Sequence, residues 1–234
     1  FGMAVKDACE KLVVRLKPYK QKNLDKPWEK WVMDAYLDST NLSAAGFYDR
    51  GPQHYQNFNN PYDGGKGHQY YVCGTTVAEV EVDCLTGANR VLRIDATLDL
   101  GRSLNPAIDI GQIDGAFVMA FGLFVSEKLE YDENGFLVSK DTSSYHIPGS
   151  RDIPTQFNIQ LLNTDSKEAV LYGSKGVGEP PIHMGIAAFM AIKDAIRASR
   201  KENGVAGNFQ LNSPASSEQI FHLCKASSTY PSGI

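Results

Sequence analysis

Gly173-Ser174-Lys175-Gly176-Val177-Gly178-Glu179-Pro180-Pro181 is the stretch that decides how the rest of the chain is read. Three glycines fall within six residues, a single carboxylate follows at once, and two prolines come next. Glycine permits positive φ and lets backbone approach a ligand closely, and the N–H groups of such a loop can form an anion-binding concavity. Proline donates no backbone hydrogen bond and holds φ nearly fixed. Glu179 therefore sits on a stiff mount at the mouth of a glycine-lined loop, the setting that a general base at a bound cofactor requires. The same residues also describe a plain turn before a helix, with a first-turn carboxylate that suits the helix dipole. Spacing alone leaves both readings open.

Immediately behind the loop, residues 185–200 read as a helix that buries Ile186, Phe189, Ile192 and Ile196 and carries Lys193, Arg197 and Arg200 towards its C-terminal end. A short strand over 169–172 leads into the loop. Further upstream, Ala78, Val80 and Val82 alternate with Glu79, Glu81 and Asp83, and Leu92, Ile94, Ala96, Leu98 and Leu100 alternate with Arg93, Asp95, Thr97 and Asp99. With the turn 85–89 between them these runs predict a hairpin with one buried face. Its acids read as cross-strand partners of Arg90 and Arg93 rather than as metal ligands.

A helix over 107–124 follows and carries Gly111, Gly115 and Gly122. Each glycine costs about 1 kcal/mol against alanine in a helix interior, so the expected gain is close packing against backbone or cofactor. Gln112 stands among them, read either as an ordinary exposed helix residue or as a ligand contact. Asp132-Glu133-Asn134-Gly135 marks a second hairpin between strands over 125–131 and 136–138, and 157–162 reads as another strand.

Towards the N-terminus, Phe1, Val5, Ala8, Leu12 and Leu16 recur at helical spacing up to Pro18. A basic connector over 17–26 leads to a short helix, 28–37, with Trp28, Val32 and Ala35 on one face. Residues 41–69 read as an ordered loop, rich in Gly, Asn, Tyr and Asp. Its two histidines, His54 and His68, are too far apart to suggest a metal site. A small helix over 216–223 and a frayed end from 227 close the chain. The opening Phe1-Gly2-Met3, already inside a helical pattern, reads as the start of a piece cut from a longer protein.

The 234 residues, 42% hydrophobic and 21% charged, suit a packed globular protein. The net charge of −4 offers no global basic field for nucleic acid or an anionic membrane. The opening residues lack a signal-peptide pattern, and the longest apolar run, 116–125, is too short to span a bilayer. Four cysteines without a CxxC pair argue against a zinc site or disulfide framework and for a reducing compartment.

Several segments carry a family likeness. Val80-Glu81-Val82-Asp83-Cys84-Leu85-Thr86-Gly87, Asp109-Ile110-Gly111-Gln112-Ile113-Asp114-Gly115-Ala116-Phe117, Ser174 to Pro181 with Ala191-Ile192-Lys193-Asp194-Ala195-Ile196, and Leu211-Asn212-Ser213-Pro214-Ala215 stand in order with compatible spacing. They resemble the C-terminal molybdenum-binding part of the xanthine dehydrogenase and aldehyde oxidase family, and the likeness runs over nearly the whole chain. It implies an α+β fold of antiparallel hairpins packed with helices, part of a two-domain molybdenum-binding region. Residues 1–225 would be the second molybdopterin-binding domain and 226–234 a C-terminal tail.

The resemblance also implies roles. Glu179 matches the family's catalytic glutamate, which takes the proton from a molybdenum-bound hydroxyl as the oxygen attacks an electron-poor carbon and hydride passes to a sulfido ligand. Gln112 matches a position contacting the molybdenum ligands and the pterin end of the cofactor. Gly178 would bring backbone near the metal, and no side chain would bind the metal directly. The implied cofactors are molybdenum-molybdopterin and, in the full-length enzyme, two [2Fe-2S] clusters and FAD. The implied partners are a small-molecule substrate (purine, N-heterocycle or aldehyde), upstream domains of the same polypeptide and a second copy in a homodimer, without nucleic acid or membrane. The expected location is the cytoplasm, with peroxisomes as the alternative.

Gly178-Glu179-Pro180-Pro181 resembles xanthine dehydrogenases, whereas animal aldehyde oxidases more often follow the glutamate with serine or glycine. Gly176 departs from the alanine common in the former. The family's substrate-clamping residues would lie upstream of Phe1, and the fragment alone is expected to be inactive. A different class of reading is a non-catalytic nucleotide- or phosphate-binding module. Against it, the glycine spacing is neither the dinucleotide fingerprint nor a Walker loop.

Overall fold

The computed structural model describes residues 1–51, 67–166 and 171–225. They form two compact units, one drawn from Phe1–Tyr71 and Lys167–Gly173, the other from Val72–Ser166 and Ser174–Ile234.

In the first unit, α1 (Gly2–Lys22) and α2 (Trp28–Leu37) are joined by a turn. α1 runs through Pro18 instead of ending there, which extends it into the expected connector. Proline removes one helix hydrogen bond, and the deprived carbonyl belongs to Val14, itself 70% exposed. Leu16 and Ala35 are buried as expected, but Phe1, Val5 and Trp28 are exposed. An extended segment lies along α1. Arg15 Nη1 donates to the carbonyls of Asn41 (3.0 Å) and Ser43 (2.7 Å), and Asp7 accepts from the Phe47 N–H at 3.0 Å. Of the aromatic loop, His54, Tyr55, Phe58 and Tyr62 lie outside the described residues.

The second unit carries a three-stranded sheet in the order β1 (Cys73–Val82), β2 (Asn89–Asp99), β3 (Gln156–Leu162). β1 and β2 form the expected antiparallel hairpin, and β3 joins β2 in parallel, a pairing that alternation alone does not reveal. The hairpin holds a bulge: Glu79 pairs Arg93 while Val80 pairs Val91. Leu92 is the extra residue, so Val91 rather than Leu92 joins Ile94, Ala96, Leu98 and Leu100 on the buried face. Arg90 binds Glu81 across the strands at 3.1 Å as expected, but Arg93 binds Asp95 of its own strand at 2.6 Å.

Two helices cover the sheet. α3 (Pro106–Phe121) continues as a π-helical turn (Gly122–Ser126). This span is apolar and long enough to cross a bilayer by composition, but Ile113, Ala116, Phe117, Ala120 and Phe121 are buried in the core, where Phe117 meets Phe157 edge-on at 5.1 Å. Burial of such a side chain contributes about 1.5–3 kcal/mol. The second hairpin is reduced to one bridge, Tyr131 to Leu137, around a turn in which Asp132 Oδ1 accepts from the Asn134 and Phe136 N–H groups. The π-turn takes up residues 125 and 126, which shortens the first expected strand.

α4 (Ile186–Glu202) packs across β1 and buries Ala188, Ile192 and Ile196. Ile186 is half exposed, contrary to the spacing, and Phe189 is half-buried against Phe124. Arg200 is buried too, stacked on Phe209 and donating to the Leu223 carbonyl at 3.2 Å, so it serves as a packing residue as well as a terminal charge. α5 (Ser217–Lys225) closes the unit. Residues 169 and 170 of the expected strand before the loop, and the tail from 226, lie outside the described residues.

Candidate active site

α3 starts cleanly because the Asn105 side chain accepts from the Ile108 N–H, Pro106 holds the first helical position and Asp109 stands in the first turn. With one face in the core, the opposite face presents Ile108, Gly111, Gln112, Gly115 and Met119 outward at steps of one to four residues. A β-carbon built on Gly111 or Gly115 meets nothing within 4 Å, whereas one on Gly122 would lie 2.7 Å from Pro148 Cδ. The expected close packing thus holds at Gly122, while Gly111 and Gly115 face open space among the described residues.

The glycine-rich loop begins against the end of β2. Ser174 bridges Gly101 and the Lys175 N–H donates to the Leu100 carbonyl at 2.9 Å. Of the loop's three glycines only Gly173 uses positive φ, at 79°. Pro180 and Pro181 then fill the first two positions of a 3-10 helix (Pro180–Gly185), where no N–H is needed. The helix is closed by the Ile182 N–H donating to the Glu179 carbonyl at 3.0 Å. Pro181 and Met184 are buried, and Gly185 abuts α3 so closely that a β-carbon there would stand 2.3 Å from Ala120 Cβ. The mount of Glu179 is therefore the N-terminal position of a 3-10 helix pressed onto α3.

That contact brings together residues 66 positions apart in sequence. A β-carbon on Gly178 would lie 3.7 Å from Gln112 Oε1, so the loop passes directly beside the Gln112 amide. Gln112, Gly178 and Glu179 are all exposed. Among the described residues no hydrogen bond or ion pair reaches the Gln112 amide or the Glu179 carboxylate. No group of three or more His, Cys, Asp or Glu side chains among the described residues could hold a metal ion. A neutral amide, a glycine backbone, a carboxylate and a helix face with open glycines leave room for a bound group beside Gln112 and Gly178.

The role of Asp99 was not read from the sequence, where it stood among acids expected to pair across the strands with Arg90 and Arg93. Its Oδ2 accepts from Lys175 Nζ at 2.8 Å. Its Oδ1 accepts from the Gly101 N–H at 2.9 Å and from the Thr164 hydroxyl. Burial alone would raise this carboxyl; the Lys175 ammonium, the Thr164 hydroxyl and the Gly101 N–H outweigh it and bring it down to about 2. The signal that could have found it is Asp-x-Gly at a strand end, where an aspartate bonds backbone two residues on.

A sequence profile described as "Molybdopterin cofactor-binding domain" matches residues 1–154. The chain belongs to that family. Xanthine dehydrogenase of Drosophila subobscura is 46% identical over 224 residues, which is 96% of this chain and 16% of the relative. Aldehyde oxidase 1 of Bos taurus is 44% identical over 226 residues, again 96% of this chain and 16% of the relative. The chain thus spans about a sixth of the length of the curated relatives it matches. The solved aldehyde oxidoreductase of Desulfovibrio desulfuricans superposes with a TM-score of 0.67 over 94% of this chain and 22% of that one, at 22% identity, a likeness of fold. In this molybdopterin-binding family member, Gln112 lies within the matched profile and Glu179 beyond it.

Proposed function

We propose that this chain is the base-bearing part of a molybdenum hydroxylase active site. Residues 1–225 would form the second molybdopterin-binding domain and 226–234 its tail. The observation that carries the reading is the passage of Gly178 beside Gln112, whose Oε1 lies 3.7 Å from where a β-carbon on Gly178 would stand, next to a Glu179 carboxylate without a partner among the described residues. Gln112 would hold the cofactor by its amide, which can both donate and accept. Gly178 would let the backbone approach it. When bound, the molybdenum cofactor supplies the oxygen donor and takes up two electrons.

Glu179 acts on the proton. Its carboxylate oxygen would receive the hydroxyl proton as a carbon–oxygen bond forms at the substrate carbon and the C–H bond there breaks, its hydrogen and two electrons going to the bound cofactor, and the rigid Pro-Pro mount fixes where that oxygen stands. The favoured substrate is an electron-poor carbon of a purine such as hypoxanthine or xanthine, or of a related N-heterocycle, in keeping with Gly178-Glu179-Pro180-Pro181. An aldehyde is the second reading, supported by the 44% identity to an aldehyde oxidase. In the whole protein, two [2Fe-2S] clusters and FAD would carry the electrons onward, upstream domains would complete the substrate pocket, and the enzyme would be a cytoplasmic homodimer.

The test is single-turnover reduction of the full-length enzyme mixed with substrate. Glutamine is nearly isosteric with glutamate but accepts no proton, so Glu179→Gln should slow reduction about 10²-fold or more, with substrate binding changed far less. Near-wild-type reduction by a variant retaining its molybdenum would refute the assignment.

A further inference from the structure

The Gly-rich loop is pinned by a partly buried ion pair outside the candidate site. The Lys175 side chain is only 9% exposed and that of Asp99 21%, and their contact at 2.8 Å joins the loop to the last residue of β2. Surface ion pairs hold little, but this one differs in three ways. Lys175 is almost wholly out of water, so leaving it unpaired is strongly unfavourable. Both carboxylate oxygens of Asp99 are occupied, by Lys175 on one side and by Gly101 and Thr164 on the other. The Lys175 backbone is fixed as well, through its N–H to the Leu100 carbonyl at 2.9 Å. One carboxylate thereby ties together the end of β2, the segment after β3 and the start of the loop.

Glu179 follows Lys175 by four residues. On its far side the 3-10 helix is seated by Pro181, Met184 and the Gly185–Ala120 contact. Between those seats lie Gly176, Val177 and Gly178, with Val177 packed on the core. A segment with two glycines has little stiffness of its own, so its course depends on what holds it, and on the β2 side that includes Lys175.

We propose that Asp99 and Lys175, with Thr164 holding the carboxylate, are positioning residues for Glu179. Their role is to fix the loop that presents it. This inference rests on the reading of Glu179 as the base.

The test uses the full-length enzyme, assayed for molybdenum content, for single-turnover reduction by substrate, and for hydrogen exchange of the peptide over 173–182 without substrate. Lys175→Met removes the charge and keeps the length of the side chain. With molybdenum retained, it should reduce at least 10-fold more slowly, since misplacement by about 1 Å can lower a rate 10²-fold, and its loop amides should exchange at least 10-fold faster. Lys175→Arg should recover most of both. Combined with Glu179→Gln, Lys175→Met should add little, because a misplaced glutamine loses no base; a general loss of structure would lower both backgrounds alike. Wild-type reduction and exchange in molybdenum-replete Lys175→Met overturns the proposal, as does a full additive loss in the Glu179→Gln background. If Lys175→Met fails to hold molybdenum, Thr164→Val decides: slower reduction and faster loop exchange support the proposal, and unchanged values overturn it. A fast Glu179→Gln enzyme would instead remove the base assignment, a result that does not depend on Lys175.

Discussion

Gly185→Ala is the substitution that tests most directly how the site is assembled. Gly185 has φ −60° and ψ −22°, an ordinary helical conformation, so alanine brings no backbone strain. The difficulty is space. Its β-carbon would stand 2.3 Å from Ala120 Cβ, 3.0 Å from the Ala120 carbonyl carbon and 3.2 Å from its Cα. Carbon atoms in contact prefer about 3.5–4.0 Å, so the 3-10 helix must move off α3 by roughly 1.2–1.7 Å. Overpacking of this kind destabilises by about 1–3 kcal/mol. Replacing glycine returns only about 0.4–1 kcal/mol through the unfolded chain, so steric strain wins. The same displacement separates Gly178 from Gln112 and carries Glu179 with it, and single-turnover reduction should fall at least about 10-fold. Ala120→Gly removes the opposing methyl, so the pair Gly185→Ala/Ala120→Gly should regain much of the rate and of the resistance to thermal inactivation that Gly185→Ala loses. A Gly185→Ala enzyme with wild-type rate and inactivation temperature, or a double variant no better than the single, would refute this account of the α3 contact.

Gln112→Ala should retain the fold, since the side chain is exposed and bonds to no described residue, yet weaken activity and molybdenum retention by an amount equivalent to about 1–3 kcal/mol for one lost partner; an unchanged rate with full molybdenum would leave it an ordinary helix residue. Asp99 is lowered from 3.8 to about 2, so its contribution of roughly 2 kcal/mol is complete above the unfolded value near 3.9 and is lost as pH falls through about 2. Acid unfolding of the holoenzyme between pH 4 and 2 should therefore be less pH-dependent in Asp99→Asn, and an unchanged acid profile would count against the partly buried pair. The isolated chain of residues 1–234 should neither hold molybdopterin tightly nor turn over substrate; purified protein that does both would show the site to be complete within it.

Legibility in the sequence followed the physics of each element. The β1–β2 hairpin was plain because alternation and a Gly turn agree, but Val91-Leu92 are adjacent and both apolar, so alternation could not say which one a bulge turns inward. Pro18 misled because proline is disfavoured in a helix by its lost hydrogen bond, a small matter where Val14 is open to solvent. Ile186 was placed inward by extending one helical period back to 185, whereas the prolines impose a 3-10 turn and α4 takes its phase only from 186 onward. At the site, Glu179 stood out because carboxylate, glycines and prolines are contiguous. The proximity of its neighbour Gly178 to Gln112 is long-range, and only the likeness to the molybdenum hydroxylases assigned Gln112 and Glu179 to one site. Asp99 stayed hidden because its partners, Lys175 and Thr164, are 76 and 65 residues away.

The two glycine groups of this chain serve different ends. Gly122 and Gly185 have neighbours that a β-carbon would strike at under 3 Å, so they are glycine for the sake of the fold in hand. Gly111 and Gly115 have nothing within 4 Å, and a helix gains about 1 kcal/mol from alanine at each. Both stand on the outward face of α3 that also carries Gln112. Gly178 belongs between the groups: among the described residues its β-carbon would meet only the Gln112 amide, at an ordinary 3.7 Å. Helix stability favours alanine over glycine at 111 and 115, and packing within the described residues gives no opposing reason. Close approach of a bound group to this face would supply one, and it is the same face on which a cofactor held by Gln112 and served by Glu179 would rest.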